Sequence, residues 1–205
     1  MDGQNYLNQI SATVRPEKKS KMSFLKSPIF IVIVIGVVGV IGAMIIGSAL
    51  GGSKEGVKAH SVSLKFHIDN TMEVINTYQS SVKSSDLRSS SASLQSVLSN
   101  TSRDLTNYLV NTYAYKDGDK NNQILADEAK LEQDGLLNDL FEAKITGVLD
   151  RVYAMKMAYE ISLLTTEESG LYNESSDQNL RDILVTSYDS LNNLYAKFND
   201  FSGTK

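Results

Sequence analysis

Hydrophobic positions along this chain follow two regimes. Over residues 28–50 they are nearly continuous, PIFIVIVIGVVGVIGAMIIGSAL, and no charged residue occurs between Lys26 and Lys54. From Val57 onward they recur at three- and four-residue steps, the period of a helix with one dry face. The first regime predicts a membrane span. At a rise of 1.5 Å per residue the stretch is about 35 Å long, against about 30 Å of bilayer hydrocarbon. Its β-branched run over residues 29–38 is too long for a buried strand. In lipid a helix satisfies its own backbone, which a lone strand does not.

The second regime predicts four helices. Val57, Leu64, Ile68, Met72, Ile75 and Val82 mark the first, expected to run on from the span through Gly51-Gly52. The polar stretch 80–85 ends it, and Ser85 or Asp86 is available to cap the next. Leu87, Leu94, Leu98, Leu105 and Leu109 mark the second helix, and residues 116–122 form a turn. A single long helix is expected over residues 123–166. Its stripe is Leu125, Leu131, Leu137, Leu140, Phe141, Ile145, Val148, Leu149, Val152, Met155, Tyr159 and Leu163, with Gly135 as a point of kinking or splitting. Residues 167–173 make the next connection, with Gly170 as its C-cap. Ser175 and Gln178 have capping-box spacing. Leu180, Leu184, Ser187, Leu191, Leu194, Phe198 and Phe201 then repeat on a heptad.

The expected fold class is all-α: one N-terminal transmembrane helix followed by an antiparallel four-helix bundle ectodomain. Residues 1–27 form a short basic cytoplasmic tail, 28–50 the span, 51–56 a Gly-rich hinge and 57–205 the extracytoplasmic bundle. Orientation follows from charge. Arg15, Lys18, Lys19, Lys21 and Lys26 precede the span, whereas only Lys54 and Lys58 follow closely, so the N-terminus stays inside. The rival reading is a cleaved signal peptide with small residues at Gly47-Ser48-Ala49, but the apolar stretch exceeds a signal core of about 7–15 residues. Gly39, Ala43, Gly47 and Gly51 fall four apart on one helix face, a spacing that lets two spans pack closely and supports a homodimer.

Composition narrows the partners. The 205 residues carry a net charge of −4 and no cysteine. Acidic balance argues against nucleic acid as a partner, and the basic cluster is accounted for by topology and anionic lipid headgroups. Without cysteine there is neither a lipid-modified anchor nor a disulfide framework, so the ectodomain depends on a packed core. The only prolines are Pro16 and Pro28, which favours long helices throughout the remainder.

Chemistry is sparse. Residues 117–128, DGDKNNQILADE, lie between two expected helices and resemble the calcium loop of the EF-hand family. The resemblance places Asp117, Asp119 and Asn121 at the first, third and fifth positions and Glu128 at the closing twelfth, and it implies a calcium ion held by their oxygens. Asn122 stands where that family has glycine, and Leu125 where it has an oxygen donor or water contact. The other reading of the segment is a helix-to-helix turn with acids at a favourable helix start. Calcium apart, no cofactor is expected.

His60 and His67, the only histidines, share a helix face and read as polar surface near the membrane, without the ligand spacing of a metal site. Tyr153, Tyr159, Tyr172, Tyr188 and Tyr195 read as half-buried rim residues or the lining of an interhelical groove. No nucleophile elbow, phosphate-cradling loop or base-paired serine is visible, so no enzyme is expected. The expectation is a single-pass, non-enzymatic interaction or structural protein of the cell envelope. Its partners would be the bilayer, an unidentified membrane or envelope protein, and a second copy through the span. The alternative is an extracytoplasmic ligand- or calcium-binding sensor or accessory module acting through a partner membrane protein.

Overall fold

The structure, a computed structural model, describes residues 53–116, 118 and 123–201. The span 28–50, the basic tail, and Gly39, Ala43, Gly47 and Gly51 lie outside the described residues. Among the described residues no helix is long and apolar enough to cross a membrane.

Among the described residues five helices form: α1 (Lys54–Tyr78), α2 (Ser85–Tyr113), α3 (Gln123–Ile145), α4 (Leu149–Glu174) and α5 (Gln178–Asn199), with a 3-10 turn at Gln79–Ser81 after α1. Ser53 starts α1. Its backbone is extended (φ −75°, ψ 147°) and its hydroxyl accepts from Gly56 N–H at 3.0 Å. The helix therefore begins at a cap and does not run on unbroken through Ser53 from the preceding residues, as the sequence pattern suggested. Ser84, one residue before the expected candidates, caps α2 through Leu87 N–H.

The expected single helix over 123–166 is two helices. They part at Gly147, whose φ of +77° reverses the chain in a left-handed conformation. Gly135 sits inside uninterrupted α3. Gly170, expected to end a helix, lies inside α4, which continues to Glu174. A Cβ there would stand 3.4 Å from the His60 ring, so the glycine serves close packing. Asp177 caps α5 by accepting from Asn179 and Leu180 N–H, while Ser175 accepts from Asp177 N–H.

Four of the helices close a ring in which α1 packs on α2, α2 on α5, α5 on α4 and α4 on α1. Pairings that cross the seams show their directions. Asp69 meets Ser102 and Asn76 meets Gln95, so α1 and α2 are antiparallel. His60 meets Glu174 while Lys83 and Ser84, just past α1, meet Asp150, so α1 and α4 are antiparallel too. The fifth helix, α3, lies outside the ring against both α1 and α4. It runs parallel to α1, since Tyr78 bonds Leu137 O and Ser81 bonds Lys144.

Buried leucines and isoleucines at heptad steps fill the ring: Leu64 and Ile68, Leu94, Leu98 and Leu105, Ile161 and Leu164, Leu184 and Leu191. The last helix buries every position of its expected repeat from Leu180 to Phe198. The long expected stripe survives in part: Leu140 and Leu149 are buried, and Leu125, Leu137 and Val152 are partly buried against the core. Helix α3 buries Gln133, Leu136, Leu140 and Ala143, leaving Leu131, Phe141 and Ile145 exposed, with Val148 and Met155 exposed just beyond.

Candidate functional site

Histidines and glutamates share the heptad spacing of the core. His60 and His67 stand seven residues apart on α1; Glu160, Glu167 and Glu174 stand seven apart on α4. Residues seven apart return to nearly one helix face, and the antiparallel pairing of α1 with α4 brings the two rows together. His60 Nδ1 lies 3.1 Å from Glu174 Oε2. His67 is held from both sides, its Nδ1 2.9 Å from Glu167 Oε1 and its Nε2 2.9 Å from Glu160 Oε2.

A neutral imidazole has one N–H donor; only the imidazolium has two. Two ionised carboxylates, one on each ring nitrogen, therefore call for a charged His67. Burial works against that charge and lowers the pKa, but the Glu167 charge and the hydrogen bonds to Glu160 and Glu167 outweigh it. The pKa stands well above the ordinary imidazole value. The His67 side chain is only 12 % exposed, so water screens these charges little.

One residue along α4, Glu168 points the other way, into the ring core. It is 1 % exposed, and neither carboxyl oxygen has a hydrogen-bond partner among the described residues. Burial pushes its pKa up to about 8; the nearby Ser187 hydroxyl offsets part of that rise, and the Glu167 charge adds to it. Glu168 thus keeps its proton at neutral pH. It belongs to a polar layer in which Thr101 of α2 donates to Ser187 of α5 at 2.9 Å. A second such contact joins Tyr153 of α4 to Ser91 of α2 at 3.0 Å.

The roof of the α1–α4 seam is α3. Its Gln133 is buried with Nε2 unpartnered among the described residues, and the half-buried Tyr159 hydroxyl beside Glu160 is unpartnered as well. Glu132 of α3 lies near enough to that hydroxyl to raise its pKa, after burial and Glu160.

The histidines are therefore not surface residues, as the sequence suggested, but the α1 side of a buried ionic seam. Sequence reasoning singled out none of Glu160, Glu167, Glu168 and Glu174 as a site: Glu160 reads as an ordinary helix-surface charge pair with Lys156, and Glu167 and Glu168 fall in the expected connection 167–173. A signal existed: the Ile161, Leu164, Glu168 and Leu171 positions form one core stripe with an acid in it, and the neighbouring glutamates share the heptad of the histidines. Asp117, Asp119 and Asn121 lie outside the described residues, and Glu128 is placed only as part of the α3 backbone. Among the described residues no group of His, Asp and Glu is arranged to hold a metal ion. The tyrosines do not converge. Tyr153 is core, stacked at a tilt on Phe198, while Tyr172, Tyr188 and Tyr195 are exposed. A groove of about 630 Å³ between α1 and α2, lined by Asp69, Met72, Glu73, Asn76, Gln95 and Ser96, contains none of them.

The class defined by these features is a helical bundle: an antiparallel four-helix ring with a fifth helix over an ionic seam. Comparison with known proteins goes no further: no family model, no curated protein and no solved structure matches the chain.

Proposed function

We propose that this chain is a single-pass, membrane-anchored interaction or structural protein of the cell envelope that presents a helical bundle outside the membrane. Two things support the reading. The apolar stretch 28–50, with its basic N-terminal flank, has the length and charge asymmetry of an inside-to-outside anchor. The second carries the interaction role: the α3–α4 hairpin exposes Phe141 and Ile145 one turn apart, then Val148 at its bend and Met155 on α4, with Ile145 65 % exposed. Large apolar side chains grouped in sequence on one hairpin, beside a ring core that buries Leu64, Leu98, Leu164 and Leu191, suit a contact surface. Since Lys83 and Ser84 bind Asp150, this bend lies at the end of the bundle far from Ser53.

The test is a photo-crosslinking residue placed at position 141 of the full chain in its own cells, with position 197 on exposed α5 as control. Discrete adducts at 141 that are missing at 197 are expected, and they should disappear when Ile145→Ser is added. No adduct, or the same adducts at both positions, would sink the hairpin as the contact surface. Protease added outside intact cells should remove the bundle and spare residues 1–27. Protection of the bundle would refute the orientation.

The alternative, a sensor or accessory module, draws support from the titratable groups buried in the α1–α4 seam. Its calcium form rests on residues 117–128 and is tested by calorimetric titration of calcium into the full chain and an Asp117→Ala/Glu128→Ala variant.

A further inference from the structure

We propose that the α1–α4 seam is a proton-operated latch: the His67–Glu160–Glu167 triad and Glu168 hold α1, α4 and the overlying α3 together while two protons are bound, and loosen them when both protons leave.

The geometry sets the two states. With its proton, the imidazolium donates from Nδ1 to Glu167 and from Nε2 to Glu160, both at 2.9 Å. Without it, only one ring nitrogen can donate. The other then turns a lone pair toward a carboxylate, and the two glutamates lose the positive charge between them. Removing the proton from Glu168 adds a second fault, because that carboxylate would be buried without a partner next to Glu167. With Glu168 on the opposite face of α4 included, four ionisable groups thus share two exchangeable protons, and loss of both leaves three negative charges within residues 160–168 of one helix.

The groups facing the triad from each neighbouring element reinforce this. From α4 come Glu160 and Glu167 themselves. From α3, the charge that reaches the Tyr159 hydroxyl beside Glu160 is Glu132, also negative. On the α2 side of α1, Lys65 bonds Asp69 at 2.7 Å and Asp69 accepts from Ser102 at 2.6 Å, so that lysine is engaged with an acid of its own helix. Glu168 faces the neutral Ser187 of α5 and Thr101 of α2.

Helix α3 is the element poised to respond. It packs only on the two helices that the latch joins, and not on α2 or α5 to a comparable degree. Its buried face is short, Gln133, Leu136, Leu140 and Ala143, and it is tied to α4 by the turn at Gly147.

The experiment is amide hydrogen exchange of the full chain in mild detergent at pH 6 and pH 9, corrected for intrinsic rates, on wild type and Glu168→Gln. Glutamine keeps the shape of the protonated acid and never ionises. In the wild type, protection in α3 and in residues 159–171 of α4 should fall by about tenfold or more at pH 9. Protection in α2 and α5 away from the Thr101–Ser187 layer that Glu168 faces should hold, and Glu168→Gln should recover much of the loss. If Glu168→Gln does not fold, Glu168→Met, which has a similar length and likewise never ionises, replaces it with the same expected recovery. Equal protection at both pH values, an equal fall in all five helices, or an unchanged fall in the variant that folds would overturn the latch.

Discussion

The α2–α5 seam and the α1–α4 seam use one heptad spacing for opposite chemistries. Buried positions of α2 and α5 carry Leu94, Leu98, Leu105, Leu184, Leu191 and Leu194, with a single Thr101–Ser187 bond among them. Across α1 and α4 the same spacing carries His60, His67, Glu160, Glu167 and Glu174. Away from the Thr101–Ser187 layer that Glu168 faces, the first seam gains its stability from area removed from water, and its leucines carry no charge for pH to change. The second must keep its charges desolvated and paired, so it needs a third helix as cover and depends on where its protons are. A bundle built this way has one unconditional side and one conditional side.

The largest effect that separates the two sides should come from His67→Ala. Removing the cation leaves Glu160 and Glu167 buried without it, and breaking a buried ion pair costs roughly 3–5 kcal/mol. Denaturant unfolding should show a larger loss at pH 6 than at pH 9, since the proton on His67 is what its contribution depends on. Leu98→Ala in the apolar side should cost roughly 2–5 kcal/mol, and by the same amount at both pH values. A pH-dependent Leu98→Ala loss would blur the distinction.

Unmutated protein should itself lose stability between pH 6 and pH 9. Both Glu168 and His67 bind protons more tightly folded than unfolded. Their contributions are therefore complete below the unfolded values and fade as pH rises through the folded ones. For Glu168 that window runs from its ordinary 4.5 up to about 8. The whole fall should be of the order of a few kcal/mol, and Glu168→Gln should flatten most of it.

Smaller effects test the frame. Asp177→Ala removes the acceptor for Asn179 and Leu180 N–H and should cost about 1 kcal/mol. Phe141→Ser, on the exposed hairpin, should stay within about 0.5 kcal/mol of wild type in unfolding, while abolishing the adducts expected from neighbouring crosslinkers.

How far the sequence reveals this molecule depends on whether one period holds along a whole element. In α5 it does, and the repeat from Leu180 to Phe198 is buried as expected. Over 123–166 it does not. The turn at Gly147 splits the expected helix, and within α3 the buried face is the narrow one of Gln133, Leu136, Leu140 and Ala143, which leaves Leu131, Phe141 and Ile145 exposed. Gly135 and Gly170 looked like breaks, but helix interiors accommodate both, Gly170 packed beside the His60 ring. The ionic seam was hidden for a different reason. Each histidine looks like surface when only its own helix is considered. Its partners are about a hundred residues away, and only the antiparallel pairing of α1 with α4 brings them into register. Glu168 stood in plain view as an acid on a core stripe, where burial without a partner means a retained proton.

The most direct test of the account is the protonation state of His67, read from its imidazole nitrogen-15 shifts in the full chain at pH 7.5, with His60→Gln used for assignment. Two protonated ring nitrogens, turning neutral only at more alkaline pH, are the predicted result. A neutral single tautomer at pH 7.5 would contradict it, and the α1–α4 seam would then be an ordinary polar contact rather than the charged, proton-dependent side of the bundle.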